Sequence, residues 1–322
     1  MQDLLEAPVV AAPTTALEQM VKTLEDSQQY RVLRRFDANS LFHKERVPVS
    51  ADVGIATVLD TETTGKDASV DHIVELGMVT FAYDRITGRV LSALERFNEL
   101  EDPGMPIPEA ASRVNGITDD MVKGKRINDD AVQLTVEMSD FIIAHNSSFD
   151  REVCERRFPF MKGKPWACSL TQVDWESSGM ASAKLEFIAF RMGFYYEAHR
   201  ADADCLALLH ALDQPLVVGD GRTPLAHVLS NFQTEARRIW AVGASFDVKD
   251  ALKARGYRWS DGTKPNSEKA WWMEVPLEQF EEEMAWLRAN AFGNRSFSVP
   301  VDRIDAFSRF TSRRDRLERT YR

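Results

Sequence analysis

Three short stretches of this chain hold acidic residues at spacings that suit joint chemistry. The first is Asp60-Thr-Glu62-Thr-Thr-Gly65, which ends the apolar run Val53-Gly-Ile-Ala-Thr-Val-Leu-Asp60. In a strand the side chains i and i+2 share a face, so both carboxylates project together from a rigid edge. Hard anionic oxygens so arranged suit Mg²⁺ or Mn²⁺, and without a cation they repel each other. The second stretch is His145-Asn-Ser-Ser-Phe-Asp150, directly after the apolar Phe141-Ile-Ile-Ala144. A strand-to-helix junction there carries Asp150 to the end of the sheet where α/β sites concentrate. The third is His199-Arg-Ala-Asp-Ala-Asp204. It places a histidine at a loop mouth and a carboxylate one turn inside a helix. Asp202 competes with Asp204, but the two sit about 200° apart on a helix and cannot both face one metal site. Singly, each stretch has a plainer reading: a solvated strand end, a helix cap with an acidic first turn, an exposed histidine.

These residues need a sheet to hold them. Val53–Asp60 is apolar almost throughout, as expected of a strand buried on both faces. Strands over 73–83 and 90–97, joined by Ile86-Thr-Gly-Arg89, form an antiparallel hairpin. The pattern then alternates: a helix over 128–140, a strand over 141–144, a helix from Phe149, a short strand over 166–168, and helices over 184–192 and 200–212. Three antiparallel strands leading into β/α alternation predict an α/β fold with a mixed sheet flanked by helices.

Outside this core, residues 1–13 read as a loose lead-in. Thr15 and Glu18 form a capping box for a helix whose Leu17, Met20, Val21 and Leu24 make one apolar face that should pack on something. Tyr30-Arg-Val-Leu-Arg-Arg-Phe36, with its neighbouring charges, is open to docking on the main domain or touching nucleic acid, and docking is the expectation. Domain boundaries are therefore expected at 1–50 (N-terminal helical extension), 51–214 (catalytic domain), 215–235 (linker), 236–292 (small α+β module) and 293–322 (tail). The tail carries eight Arg against four acidic residues. The module interleaves Arg237, Arg238, Trp240, Lys253, Arg258, Trp259, Trp271 and Trp272. That mixture suits single-stranded nucleic acid, although tryptophans in so small a unit are more often core.

Composition narrows the class. The 322 residues include 40 Lys and Arg against 50 Asp and Glu, a net charge of −10, which argues against a protein coated in nucleic acid through bulk charge. It leaves room for a local site where metal ions meet phosphates. Cys154, Cys168 and Cys205 stand far apart, so neither a disulfide framework nor a zinc knuckle is available from cysteine alone. With no apolar run of about 18–20 residues and no basic-then-apolar leader, a cytoplasmic protein without a membrane partner is expected.

In combination, D-x-E, then N-x-x-F-D, then H-x-A-x-x-D, in this order and after these elements, resembles the three motifs of the DEDDh group of DnaQ-like 3′-5′ exonucleases. That group includes the proofreading epsilon subunit of bacterial DNA polymerase III. The likeness runs from about residue 53 to 212, and Pro106-Ile-Pro108 with Val114-Asn-Gly-Ile-Thr118 adds to it. Tyr30–Arg35, Pro165-Trp-Ala-Cys168, Lys253–Trp259 and Trp271-Trp272 also look like segments of bacterial epsilon-like exonucleases, without supplying a function for them. The resemblance implies an RNase H-like five-stranded mixed sheet. It also implies that Asp60, Glu62, Asp150 and Asp204 hold two Mg²⁺ or Mn²⁺ ions roughly 3.5 to 4 Å apart, with His199 as general base.

On that likeness, Thr61 and Thr63 offer backbone donors to the terminal 3′-hydroxyl, and Asn146 and Ile117 lie beside the bound strand. The expected activity is removal of nucleoside 5′-monophosphates from single-stranded DNA or the 3′ ends of duplex DNA, in repair, degradation or defence. Alternatives are an exoribonuclease trimming RNA and a polymerase-associated proofreading subunit. For a DNA polymerase or clamp partner the only sign is Gln214-Pro-Leu-Val-Val218, for which coincidence is the better explanation. A homodimer through the N-terminal helix or the Trp-rich module stays open, with no heptad run to compel it. If the module is a separate binding unit, deleting 236–322 should weaken DNA binding yet spare hydrolysis of a small nitrophenyl thymidine-phosphate ester.

Overall fold

The computed structural model describes residues 14–43, 52–216, 218–263, 266–313 and 315–321. Its main sheet has five strands in the order β4-β3-β2-β5-β6. These are β2 (Val53–Thr63), β3 (Ile73–Asp84), β4 (Val90–Leu100), β5 (Ile142–Ala144) and β6 (Trp166–Cys168). The first three are antiparallel neighbours, whereas β5 runs parallel to β2 and β6 parallel to β5. The sheet is thus the mixed five-stranded arrangement expected of an RNase H-like fold. The register Thr57↔Ile142 and Val58↔Ile143 makes β2 and β5 end on the same side, which brings Asp60 and Asp150 together.

Two cores cover the faces of this sheet. One is centred on α7 (Ala201–Leu212), whose Cys205, Leu206, Leu208, Leu209 and Leu212 pack on Val58, Val79 and Phe81. The other lies under α4 (Asp129–Met138) and α5 (Ser147–Arg157), where Leu59, Leu76, Val132, Val136, Val153 and Trp166 meet. Asn128 caps α4 by accepting from the Ala131 amide at 3.1 Å, fixing its start where the sequence places it. Two short helices, α2 (Glu109–Asn115) and α3 (Asp119–Val122), follow β4 where the sequence pattern had shown none.

The extension docks as expected. Its β1 (Arg34–Arg35) pairs in parallel with β7 (Phe194–Tyr195), just after α6 (Leu185–Met192), and Phe36 packs on Phe194 and His210. The helix α1 (Thr14–Asp26) differs from expectation: Leu17, Met20 and Leu24 are exposed. Nothing among the described residues covers that face, and α1 is tied down instead by Glu18 to Arg34. Residues 1–13, and the Thr15 side chain of the expected capping box, lie outside the described part.

Two boundaries also move. The expected linker contains α8 (Pro224–Phe232), which buries Leu225, Val228 and Phe232 in the α7 core and packs the Phe232 ring, tilted, against Phe141 at 4.7 Å. The expected tail supplies two strands. β11 (Phe297–Ile304) and β12 (Asp315–Tyr321) join β8 (Ala236–Trp240), β9 (Arg258–Asp261) and β10 (Lys269–Pro276) in a second sheet, ordered β12-β11-β8-β10-β9 and antiparallel throughout. Helices α9 (Lys249–Ala254) and α10 (Phe280–Asn290) close one face of it over Ile239, Val275, Val299 and Val301. Among the described residues no helix is long and apolar enough to cross a membrane.

Candidate active site

β2 runs three residues beyond the expected strand end, so Asp60 and Glu62 both stand on a hydrogen-bonded strand. α7 then delivers Asp204 against them. Its first turn crosses β3 at Gly77, where an added Cβ would lie 2.3 Å from the Ala201 carbonyl carbon and 2.4 Å from the Asp202 amide nitrogen. Gly77 is the cross-strand partner of Asp60, so this close approach is what sets the helix directly over the first carboxylate. One oxygen each from Asp60, Glu62 and Asp204 can be chosen so that all lie within 4.8 Å of one another. The competition with Asp202 is resolved by the helix: Asp202 is buried on the other side, accepting from Arg96 Nε at 2.7 Å.

Asp150 is buried in the first turn of α5 and accepts from the Thr61 hydroxyl at 2.8 Å. The Thr61 backbone also stabilises its ionised form. The Thr61 hydroxyl is thereby turned to the Asp150 carboxylate. The Thr63 hydroxyl donates to the Gly65 carbonyl at 2.6 Å and shapes the turn after β2. Ile117 is fully buried among Val74, Ile107 and Val122, so it has no surface for a nucleotide and acts through packing. Asn146 is exposed at the mouth, where its Oδ1 accepts from the Ser148 hydroxyl at 2.9 Å.

His199 is exposed and has a left-handed backbone, φ 67°. Its amide donates to Asp204 Oδ2 at 2.8 Å, joined there by the Arg200 amide at 3.2 Å, while the Tyr196 hydroxyl donates to Oδ1 at 2.8 Å. The second histidine of the motifs, His145, serves structure. Its ring bonds Ser169 Oγ at 2.8 Å and the Ala183 carbonyl at 2.6 Å, and burial pushes its pKa down.

Four supporting residues escaped the sequence reading. Tyr196 orients Asp204, and Asn115 hydrogen-bonds to Glu62. Glu75, opposite Glu62 in the β2–β3 register, is fully buried and takes donors from Arg200, Asn98 and the Ala201 amide. Burial opposes its ionisation, but Arg200 and Asn98 outweigh that and hold it below the usual carboxylate range. Asn115 stands inside the noted Val114–Thr118 segment and Arg200 beside His199, which was the available signal. Glu75 reads as one polar residue in an apolar strand.

The four motif carboxylates behave oppositely. Burial, then repulsion from Asp150, Asp204 and Glu62, pushes Asp60 far above its ordinary value. Burial, then Asp204 and Glu75, pushes Glu62 up to about 7. Asp150 rises to about 7 through burial despite its Thr61 bond, and Asp204 rises through burial despite Tyr196. The donor set is all oxygen and strongly anionic, which fits a hard divalent cation.

A stability prediction follows. Raised carboxylate pKa values mean that the folded metal-free chain binds more protons than the unfolded one between about pH 4 and the folded values near 7 for Glu62 and Asp150. Stability from this cluster is therefore fullest at the acidic end of that window and falls as pH rises through it. Scanning calorimetry in EDTA should show a lower Tm at pH 8 than at pH 5.5. Added Mn²⁺ should raise Tm more at pH 8, since a cation binds the ionised cluster. An increment independent of pH would contradict the assignment.

The region holding these residues also matches known proteins. A family profile described as Exonuclease (RNase_T) matches residues 57–212. DNA polymerase III subunit epsilon of Treponema pallidum is 32% identical over 160 residues, covering 46% of this chain and 70% of that one. The PolC-type DNA polymerase III of Listeria welshimeri is 39% identical over 95 residues, 29% of this chain but 6% of that one. Among solved structures, E. coli exonuclease I with a dA16 oligonucleotide aligns with a TM-score of 0.46 at 15% identity, covering 74% of this chain and 71% of that one. Exonuclease X with 5′ overhanging duplex DNA aligns with a TM-score of 0.39 at 23% identity, covering 53% and 99%. The chain belongs to the DnaQ-like exonuclease family, 3′-5′ exonucleases of the hydrolase class.

Proposed function

We propose that the protein is a metal-dependent exonuclease that hydrolyses the 3′-terminal phosphodiester of DNA and releases nucleoside 5′-monophosphates. The observation that carries this reading is the convergence of Asp60, Glu62 and Asp204 within 4.8 Å, beside a buried Asp150 and an exposed His199. DNA as substrate is supported by the likeness to the epsilon and PolC relatives, whose names are those of DNA polymerase III components. Asp60, Glu62, Asp150 and Asp204 would hold two Mg²⁺ or Mn²⁺ ions. Bound there, such ions supply Lewis acidity to the phosphate and make a water easier to deprotonate.

The chain's own residues do the rest. His199, at the open mouth, takes a proton of the attacking water; the water oxygen bonds to phosphorus as the bond to the 3′-oxygen breaks, and that oxygen leaves as an alkoxide that takes its proton from solvent. Tyr196 and the His199 amide keep Asp204 in place during this step, and Thr61 does the same for Asp150. Glu75 fixes Arg200 and the Ala201 amide, and so fixes the turn that presents His199.

The test is digestion of 5′-labelled single-stranded DNA, duplex DNA with a recessed or mismatched 3′ end, and matched RNA, with Mg²⁺, Mn²⁺ or EDTA. The expected result is a metal-dependent ladder shortening from the 3′ end, faster on DNA. Faster shortening of RNA would move the reading to an exoribonuclease, and no ladder from folded protein on any substrate would end it.

A further inference from the structure

α5 is buried without being apolar. Its buried residues are Ser147, Asp150, Arg151, Val153, Cys154 and Glu155, of which only Val153 and Cys154 are hydrophobic, with the half-buried Phe149 packed beside them. Hydrophobic packing is non-directional, so the rotation and depth of this helix fall to its hydrogen bonds. On one flank Arg156 donates to the Ala68 and Asp71 carbonyls, and Arg157 bonds Glu101 at 2.8 Å and Asp129 at 2.7 Å.

The other flank is held by the second sheet. Arg151, fully buried, bonds Glu155 through Nε at 2.7 Å. Its Nη1 donates to the carbonyls of Ala306 at 3.2 Å and Arg309 at 2.7 Å. Its Nη2 donates to Phe307 at 2.6 Å and Lys164 at 3.4 Å. Three of these four carbonyls belong to the turn that joins β11 to β12. The same turn covers the outer edge of β6, because the Trp166 amide donates to the Ala306 carbonyl at 2.9 Å. Arg309 then locks the turn to the end of α8, reaching the Phe232 carbonyl at 3.1 Å and that of Thr234 at 2.6 Å.

We propose that Arg151 is a positioning residue for the exonuclease reaction: clamped by the 305–309 turn, it sets α5 and hence the place of Asp150, its immediate neighbour. The proposal rests on the exonuclease reading of the site. It makes the second sheet part of the catalytic unit. Deleting 236–322 then takes small-ester hydrolysis with it, the reverse of what a detachable binding module would give. Without the turn's carbonyls Arg151 keeps its Glu155 partner, but its Nη donors are left buried and unpaired, so α5 must shift to hydrate them. A displacement of about 1 Å at a reacting group is enough to cost about 10²-fold in rate.

Two full-length variants test this. Arg151→Lys keeps the charge and loses the fork that reaches four carbonyls. Asp305→Ala loosens the turn from its far side, because Asp305 Oδ1 accepts from the Phe307 and Ser308 amides at 2.9 Å. It leaves Arg151 unchanged. The readouts are kcat and KM on the p-nitrophenyl ester of thymidine 5′-monophosphate, calorimetric Mn²⁺ affinity, and amide exchange in α5, all below the Tm of each variant.

Arg151→Lys should lower kcat by about 10- to 100-fold with KM unchanged, weaken Mn²⁺ binding and speed exchange in α5. Asp305→Ala should move each quantity in the same direction by less. Wild-type kcat and Mn²⁺ affinity in a variant with merely a lower Tm would overturn the proposal, and Asp305→Ala decides if Arg151→Lys does not fold. Asp60→Ala runs alongside. If wild type hydrolyses the ester no faster than Asp60→Ala, the exonuclease reading fails, while Mn²⁺ affinity and α5 exchange still judge the clamp.

Discussion

Asp60→Asn is expected to abolish hydrolysis and, at the same time, to raise the Tm of the metal-free protein. Asp60 is at the centre of the acidic cluster: Asp150, Asp204, Glu62 and Glu75 all push its pKa upward, on top of burial. In the absence of a cation its charge is a net cost, because every neighbour that could compensate it is also an anion. The amide is nearly isosteric, removes that charge, and lowers the cost of ionising Glu62 and Asp150. It also removes one carboxylate of the proposed cation site. Loss of several kcal/mol of metal-borne stabilisation corresponds to at least about 10³-fold in rate. Calorimetry in EDTA at pH 8, beside the oligonucleotide assay, checks both halves. A Tm that falls in EDTA would mean that Asp60 is compensated in the folded chain, contrary to the arrangement described.

How much of this was legible in the sequence depended on whether a residue's role is local. Asp60, Glu62 and Asp204 are brought together by strand period, parallel ends and a helix start, all of which leave marks in the sequence. Glu75, Tyr196 and Asn115 act only across elements, through a strand register, a loop and a turn, and a single polar residue in an apolar strand gives no notice of its partner. The second sheet was half visible for a similar reason. β8 reads Ala-Arg-Arg-Ile-Trp, with one inward Ile between charged and aromatic residues. β11 contains Pro300 and the fully buried Asp302, both of which argue against a strand.

The structure accommodates both exceptions. Pairing of β11 with β8 begins at Val301, so the missing amide of Pro300 is not needed on that side. Asp302 accepts from Trp240 Nε1 at 2.7 Å. The basic composition of residues 293–322 left a solvated helix and a phosphate-seeking arm both open. In fact Arg309 spends its charge on the carbonyls that end α8, and Arg313 on Glu155 and the Lys162 carbonyl. Charge runs state how many cations there are and not whether backbone carbonyls elsewhere will use them.

His199→Asn is expected to separate proton transfer from metal holding. The residue does two things in the structure: its amide supports Asp204 at 2.8 Å, and its ring stands exposed at the mouth. Only the second depends on the imidazole. Asparagine tolerates the left-handed backbone at φ 67° better than alanine, so the turn and its amide survive the exchange. A positioned general base contributes about 10²- to 10⁴-fold, and that is the expected loss in kcat. Mn²⁺ affinity, KM and Tm should stay near wild type, because Asp204 keeps its His199, Arg200 and Tyr196 donors. The contrast with Asp60→Asn is the point of the measurement: one variant loses the cation and gains metal-free stability, the other keeps the cation and loses the proton acceptor. If His199→Asn instead binds Mn²⁺ poorly, the ring acts through Asp204, and the proton acceptor must be sought elsewhere in the mouth.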